Sequence, residues 1–241
     1  MDGQGAAKLS EKVAALIRQK IADGALKDGE DLGSEATLIE QYNASRPSIR
    51  EALRILEAEG LLQIVRGARS VKVRAPQVDL PARYMALLLR TQGATVADAY
   101  HCRTLIEPAI VKEVANNASD KAPIILNNII RRENEALLMN DFEAIVRYSN
   151  EFHAALIALS GNKSAQLIIS MLNKIYGDHY ATVVLNTDKD TLEKAIKAHE
   201  ILVHFIEKGQ AERAEQFWNS HLNLFEQLMR NSKSYLQMVE L

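Results

Sequence analysis

The chain has 241 residues, of which 47% are hydrophobic and 25% charged, with a formal net charge of −2. That composition fits an ordinary globular protein of one or two domains, and the near-neutral charge gives no global nucleic-acid signal. One cysteine, Cys102, excludes an intrachain disulfide and any Cys-rich zinc module. No apolar run approaches the roughly eighteen residues that cross a membrane, and Met1–Ala7 lacks the pattern of a signal peptide, so a cytoplasmic protein is expected.

Residues 1–8 read as disordered. Ser10 is placed to cap a helix running to about Asp23, with Val13, Leu16, Ile17 and Ile21 on its buried side and Gly24 as its stop. A turn-rich stretch, Lys27–Gly33, follows. Ser34 caps a second helix, Glu35–Tyr42, that buries Leu38 and Ile39, and Asn43-Ala44 makes a tight turn.

The stretch Ser45–Gly60 is a short helix with two faces. Ile49, Ala52, Leu53 and Leu56 recur at helical spacing as an apolar stripe, while Arg46, Arg50 and Arg54 step by four along another side. Ser45 is its N-cap, Pro47 is tolerated in the first turn, and Gly60 stops it. A helix of this kind suits a DNA major groove, where Arg grips guanine and Ser bonds phosphate or base edges. A surface helix with solvated arginines is the bland alternative. The local charge favours the first: between Arg46 and Arg74, seven Lys/Arg stand against three Asp/Glu.

Two β-branched runs, Leu61–Val65 and Ser70–Arg74, flank a Gly-containing turn and predict a hairpin with Arg66 and Arg69 around Gly67 at its tip. Two helices, a tight turn, a basic helix and a basic hairpin make a winged helix-turn-helix, whose tip could reach an adjacent minor groove. Ala75–Pro81 holds two of the five prolines. The expected organisation is therefore a DNA-binding domain over 1–75, a linker over 76–81 and a second domain over 82–241. That last part is helical by period, with segments near 82–91, 95–117, 121–139, 141–160, 163–185, 189–208 and 210–238. The fold class is mainly α, the winged helix being followed by an antiparallel bundle of about six to seven helices.

Within the bundle, His153, His199 and His221 each lie on the apolar stripe of a different helix. Any one of them alone reads better as a satisfied core histidine. Three on separate inward faces raise the metal alternative, because a divalent ion is one common partner for three imidazoles. Arg103 shares a face with Ala99, Ile106 and Ile110. A cation there needs a partner, either Glu107 one turn on or a ligand carboxylate held by the guanidinium fork.

Residues 10–74 resemble the DNA-binding domain of GntR-family bacterial transcription regulators. The matching residues include Gly24, Gly29, Ser34-Glu35, Leu38, Ser45-Arg46, Arg50-Glu51-Ala52-Leu53, Gly60-Leu61 and Arg66-Gly67. The resemblance implies that Ser45, Arg46, Ser48, Arg50, Arg66, Gly67 and Arg69 touch the operator, with Glu51 and Glu57 as partners inside the domain. Gly33 stands where the family usually has proline, and Ala36 where some members carry a phosphate-binding arginine.

Residues 82–241 resemble the FCD ligand-binding domain of the FadR-type GntR subfamily, through Arg103–Glu107, Phe152-His153 with Gly161-Asn162, His199 with Ile206 and Gly209, and Ala214 with His221-Leu222. That domain binds a metal through an aspartate and three histidines, and an organic acid often completes the site. Carried over, His153, His199 and His221 are ligands to a divalent transition metal (Zn, Ni or Mn). Arg103, Ser149 and Asn162 are effector-binding residues, and Ser149 stands at the aspartate position.

The expected protein is a homodimeric regulator of double-stranded operator DNA, a repressor released by a small carboxylate. The rival is a metal-dependent hydrolase or lyase on the helical bundle, with the winged helix as an accessory. Against it, the chain has no His-Glu-x-x-His helix, glycine-rich phosphate loop or Gly-x-Ser-x-Gly elbow.

Overall fold

A computed structural model describes residues 3–65, 70–118, 120–230 and 236–239. The chain packs as two compact units, Met1–Leu80 and Pro81–Leu241. The hairpin-tip residues expected to touch DNA, Arg66, Gly67 and Arg69, lie outside the described residues.

The first unit holds α1 (Gly3–Ala22), α2 (Glu35–Tyr42), α3 (Arg46–Ala58) and the hairpin β1 (Leu62–Val65) with β2 (Ser70–Val73). Helix α1 begins at Gly3, so its start precedes Ser10. Ser10 is a buried residue inside the helix and not its cap. The buried side of α1 is also rotated from the expected one. Val13, Ala14 and Ile17 enter the core while Leu16 is 48% exposed. Ala14 fits where α1 packs closely on α3, a choice that apolar periodicity does not register.

Helix α3 forms as its sequence dictates. Ser45 Oγ accepts the Ser48 N–H, Pro47 occupies the first turn, and Ile49, Ala52, Leu53 and Leu56 are each no more than 2% exposed. Strands β1 and β2 pair antiparallel with Leu62 opposite Val73 and Ile64 opposite Val71. Leu62, Val71 and Val73 complete the core. The stretch before α2 adds to this hairpin, since Leu32 N–H donates to Val71 O and Val71 N–H to Gly33 O. Gly33 has φ +82°, which proline's ring forbids. The departure from the family's proline thus goes with a different backbone entry into α2. An added Cβ would also press on Thr37 at 3.3 Å.

The second unit is built on α4 (Asp79–Thr91), α5 (Val96–Asn117), α6 (Ala122–Met139), α7 (Phe142–Leu159), α8 (Lys163–Leu185), α9 (Lys189–Glu207) and α10 (Ala211–Arg230). Helix α4 starts at Asp79, so Asp79–Pro81 form its first turn, where proline's missing N–H is harmless. Thr95 and Asp98 make a capping box on α5, and Asp141, Asn162 and Asp188 cap α7, α8 and α9. Helix α5 packs on α10 and α8, and α6 packs on α7 and α9. The last helix is described as far as Arg230, and it does not run to 238, because residues 236–239 are not helical. Residues 237–239 return to the entrance of α5, where Val96 N–H donates to Gln237 O and Val239 N–H to Ala94 O. Val239 is fully buried there. These two backbone bonds and the burial of Val239 replace what another helical turn would supply.

Candidate nucleic-acid face and buried histidine site

In the first unit, α2, α3 and the hairpin enclose a groove of about 480 Å³ lined by Ser34, Glu35, Arg46, Arg50, Ile64 and Ser70 among others. Arg46 is exposed. Arg50 Nε donates to both Glu35 carboxylate oxygens at 3.2 and 3.0 Å, with both side chains partly in solvent. Exposed pairs of this type stabilise by only ~0.2–1 kcal/mol, so Arg50 can exchange Glu35 for another acceptor at small cost. Ser48 sits in the first turn of α3. It is 2% exposed, and its hydroxyl lies 2.9 Å from Ser45 Oγ, so the helix start consumes it. Arg54 turns to Glu51, and Glu57 accepts the Ile64 N–H.

In the second unit, six helices converge on one buried cluster. Helix α5 supplies Arg103 and Glu107, α7 supplies Ser149 and His153, α9 supplies His199, and α10 supplies Trp218 and the half-buried His221. Helix α6 adds Glu133 and α8 adds Tyr180. One ligating nitrogen from each of His153, His199 and His221 can be chosen so that all lie within 4.8 Å of one another. Around a tetrahedral ion with bonds of ~2.0–2.1 Å, such nitrogens stand roughly 3.4 Å apart. Inward movements of under about 1 Å per ring close the difference, so the residues fit a metal.

The surroundings agree with that fit. Burial, reinforced by the Arg103 charge, lowers the His153 pKa to about 4, and burial also takes His221 well below its ordinary value. Neutral imidazole is the ligating form. His153 Nδ1 lies 2.5 Å from Glu107 Oε1, and His199 Nδ1 lies 2.9 Å from Glu133 Oε2. His221 stacks on Trp218 with centroids 4.6 Å apart, and His199 stacks on Phe152 at 4.0 Å.

Arg103 is 1% exposed. Its Nε donates to Glu107 Oε2 at 2.6 Å, and its Nη2 has no hydrogen-bond partner among the described residues. Glu107 is the expected partner, but it also accepts from Trp218 Nε1 at 3.0 Å. Burial would raise the Glu107 carboxyl, yet the Arg103 guanidinium and His153 outweigh it and hold the group well below the usual range. Ser149 is buried, with its hydroxyl 2.9 Å from the Tyr180 hydroxyl. Asn162 stands apart from these groups, exposed and with its amide oxygen capping α8. Glu133 is a member of the cluster that the sequence did not single out, although a signal was present. It falls on the stripe Leu126, Ile129, Ile130, Ala136 and Leu137, a charge on a buried face as Arg103 is.

A winged helix-turn-helix in one unit and an all-helical bundle with a buried cationic and histidine-rich cluster in the other define a ligand-responsive class of DNA-binding protein. Residues 9–71 match the bacterial regulatory proteins of the gntR family, and residues 98–224 match the FCD domain. The chain is 27% identical over 223 residues to the HTH-type transcriptional repressor NanR of Salmonella arizonae, and equally to that of Salmonella typhimurium. Each match covers 90% of this chain and 82% of the relative. The solved structure of Streptococcus agalactiae GntR shares the fold with a TM-score of 0.72 at 20% identity, over 90% of this chain and 99% of that one. The chain belongs to the GntR family of bacterial transcription regulators, in its FCD-containing branch, and is a DNA-binding regulator rather than an enzyme.

Proposed function

We propose that the chain is a homodimeric repressor that leaves its operator when a small carboxylate binds the helical unit, with a divalent transition metal held by His153, His199 and His221. Residues 1–75 bind double-stranded DNA through Ser45, Arg46, Arg50 and the hairpin tip at Arg66, Gly67 and Arg69. Ser48 orders the start of α3 by its bond to Ser45. The linker is residues 76–78, since 79–81 form the first turn of α4, and the helices from α4 onward carry effector binding and dimerisation.

The observation that carries the proposal is one buried cluster, within the FCD match, that holds three imidazoles and an arginine with an uncommitted Nη2. Arg103 Nη2 offers a donor to a carboxylate oxygen, and the Ser149 and Tyr180 hydroxyls offer further bonds beside it. A metal at the three imidazoles supplies a positive charge for the same carboxylate. An all-nitrogen donor set suits Zn or Ni better than Mn. The repressor sense rests on the name of the Salmonella relatives.

Effector and operator are then linked by a coupling free energy of ~1–3 kcal/mol that acts in both directions. The test is an operator mobility shift across a panel of small carboxylates, with the parent and with His153, His199 and His221 all replaced by Ala. The parent should be released by at least one acid and contain about one metal per chain. The triple variant should bind DNA normally, hold no metal and ignore the acid. A triple variant that responds like the parent overturns the pocket.

A further inference from the structure

We infer that Glu133, on α6, is a positioning residue of the three-histidine centre: it fixes which nitrogen His199 presents and supplies the anionic charge that the imidazoles lack. This inference rests on the metal proposal above.

Glu133 is 0% exposed, on a helix that contributes no imidazole to the cluster. Its Oε2 lies 2.9 Å from His199 Nδ1. A carboxylate only accepts, so Nδ1 carries the proton and Nε2 keeps the lone pair that a metal takes. The Phe152 ring, parallel to His199 within 3° at 4.0 Å, holds the imidazole plane. Orientation and tautomer are thus both set before any ion arrives.

Charge gives an independent argument. Three neutral imidazoles bring no negative charge to a divalent ion. Glu107 lies against His153, but its charge is already matched by Arg103 at 2.6 Å. Glu133 makes one bond to the imidazole, and its Oε1 is buried without a hydrogen-bond partner among the described residues. A buried carboxylate oxygen with no donor is a standing cost in a metal-free protein. A cation on the far nitrogen of the same imidazole offsets it. The two carboxylates therefore differ in role: Glu107 is bonded to Arg103, whereas Glu133 is bonded to no cationic side chain but to the imidazole alone, among the described residues, and is the one placed to offset the metal's charge.

The test uses full-length protein, zinc as the probe and two variants, Glu133→Gln and Glu133→Leu. Glutamine keeps an acceptor for Nδ1–H but removes the charge, whereas leucine removes both. Zinc Kd is measured by competition with a chelating dye, and the His199 tautomer by ¹⁵N NMR of the metal-free protein. The parent should show His199 as the Nδ1–H tautomer. Leucine should mix the tautomers and weaken zinc about 10–100-fold. Glutamine should keep the tautomer and weaken zinc about tenfold.

An Nε2–H tautomer in the parent overturns the inference, and so does zinc binding as tight in both variants as in the parent. If circular dichroism shows that the leucine variant does not fold, glutamine decides alone, and a Kd within about twofold of the parent's is the overturning result. A parent that binds no zinc overturns the metal proposal and the charge role with it. The tautomer still reports separately whether Glu133 orients His199.

Discussion

Glu107 takes hydrogen bonds from Arg103, His153 and Trp218, side chains on three different helices. Removing it strands the Arg103 cation in a site 1% exposed. Breaking a buried pair in this way costs ~3–5 kcal/mol, so Glu107→Ala should lower the urea midpoint by a matching amount. The neighbouring His153 has a pKa lowered to about 4 by burial and by Arg103. The unfolded chain, with an ordinary histidine near 6.5, binds the proton first. Stability of the metal-free protein should therefore be complete above about pH 6.5 and decline as pH falls toward about 4. Thermal melts across that window check the sign, and the slope should shrink when His153 is replaced by Phe. On the DNA side, Arg50 is paired, among the described residues, with the partly exposed Glu35. Arg50→Ala should weaken specific operator binding by ~1–3 kcal/mol, about 5–150-fold, with an unchanged circular dichroism spectrum.

Helix α3 shows how much an element can owe to its own sequence. Its cap, its first-turn proline and its apolar stripe all agree, and each is found where the spacing predicts. Leu56, fully buried, should cost ~2–5 kcal/mol when cut to alanine, read as early melting of the first unit by calorimetry. Other elements depended on partners. The buried side of α1 turned on Ala14 meeting α3, and residues 237–239 are not helical but take backbone partners at the start of α5. Periodicity within a helix marks a face, but it does not say which edge of that face another helix will press against.

At the scale of the molecule, the chain forms two compact units, each with its own core, and the proposed function assigns DNA to the first and ligand to the second. The logarithm of operator affinity should fall linearly with the logarithm of salt concentration. Arg46→Ala should reduce the slope by about 0.9 for each phosphate that the arginine neutralises, measured by fluorescence anisotropy between 50 and 200 mM salt or so. A slope unchanged by that substitution would place Arg46 off the phosphate backbone.

The sequence alone determined the helical segments in outline, the Ser34 and Ser45 caps, the two strands of the hairpin, the basic segment and the three inward histidines. These follow from local periodicity and capping chemistry, which act within a few residues. Tertiary structure alone decided that Asn162 stands outside the cluster and that Ser149 meets Tyr180. It also decided that Glu133 faces His199 across 66 residues of chain. Such pairings depend on how separate helices are rotated and stacked, and burial then makes each polar group take whichever partner that packing brings within reach.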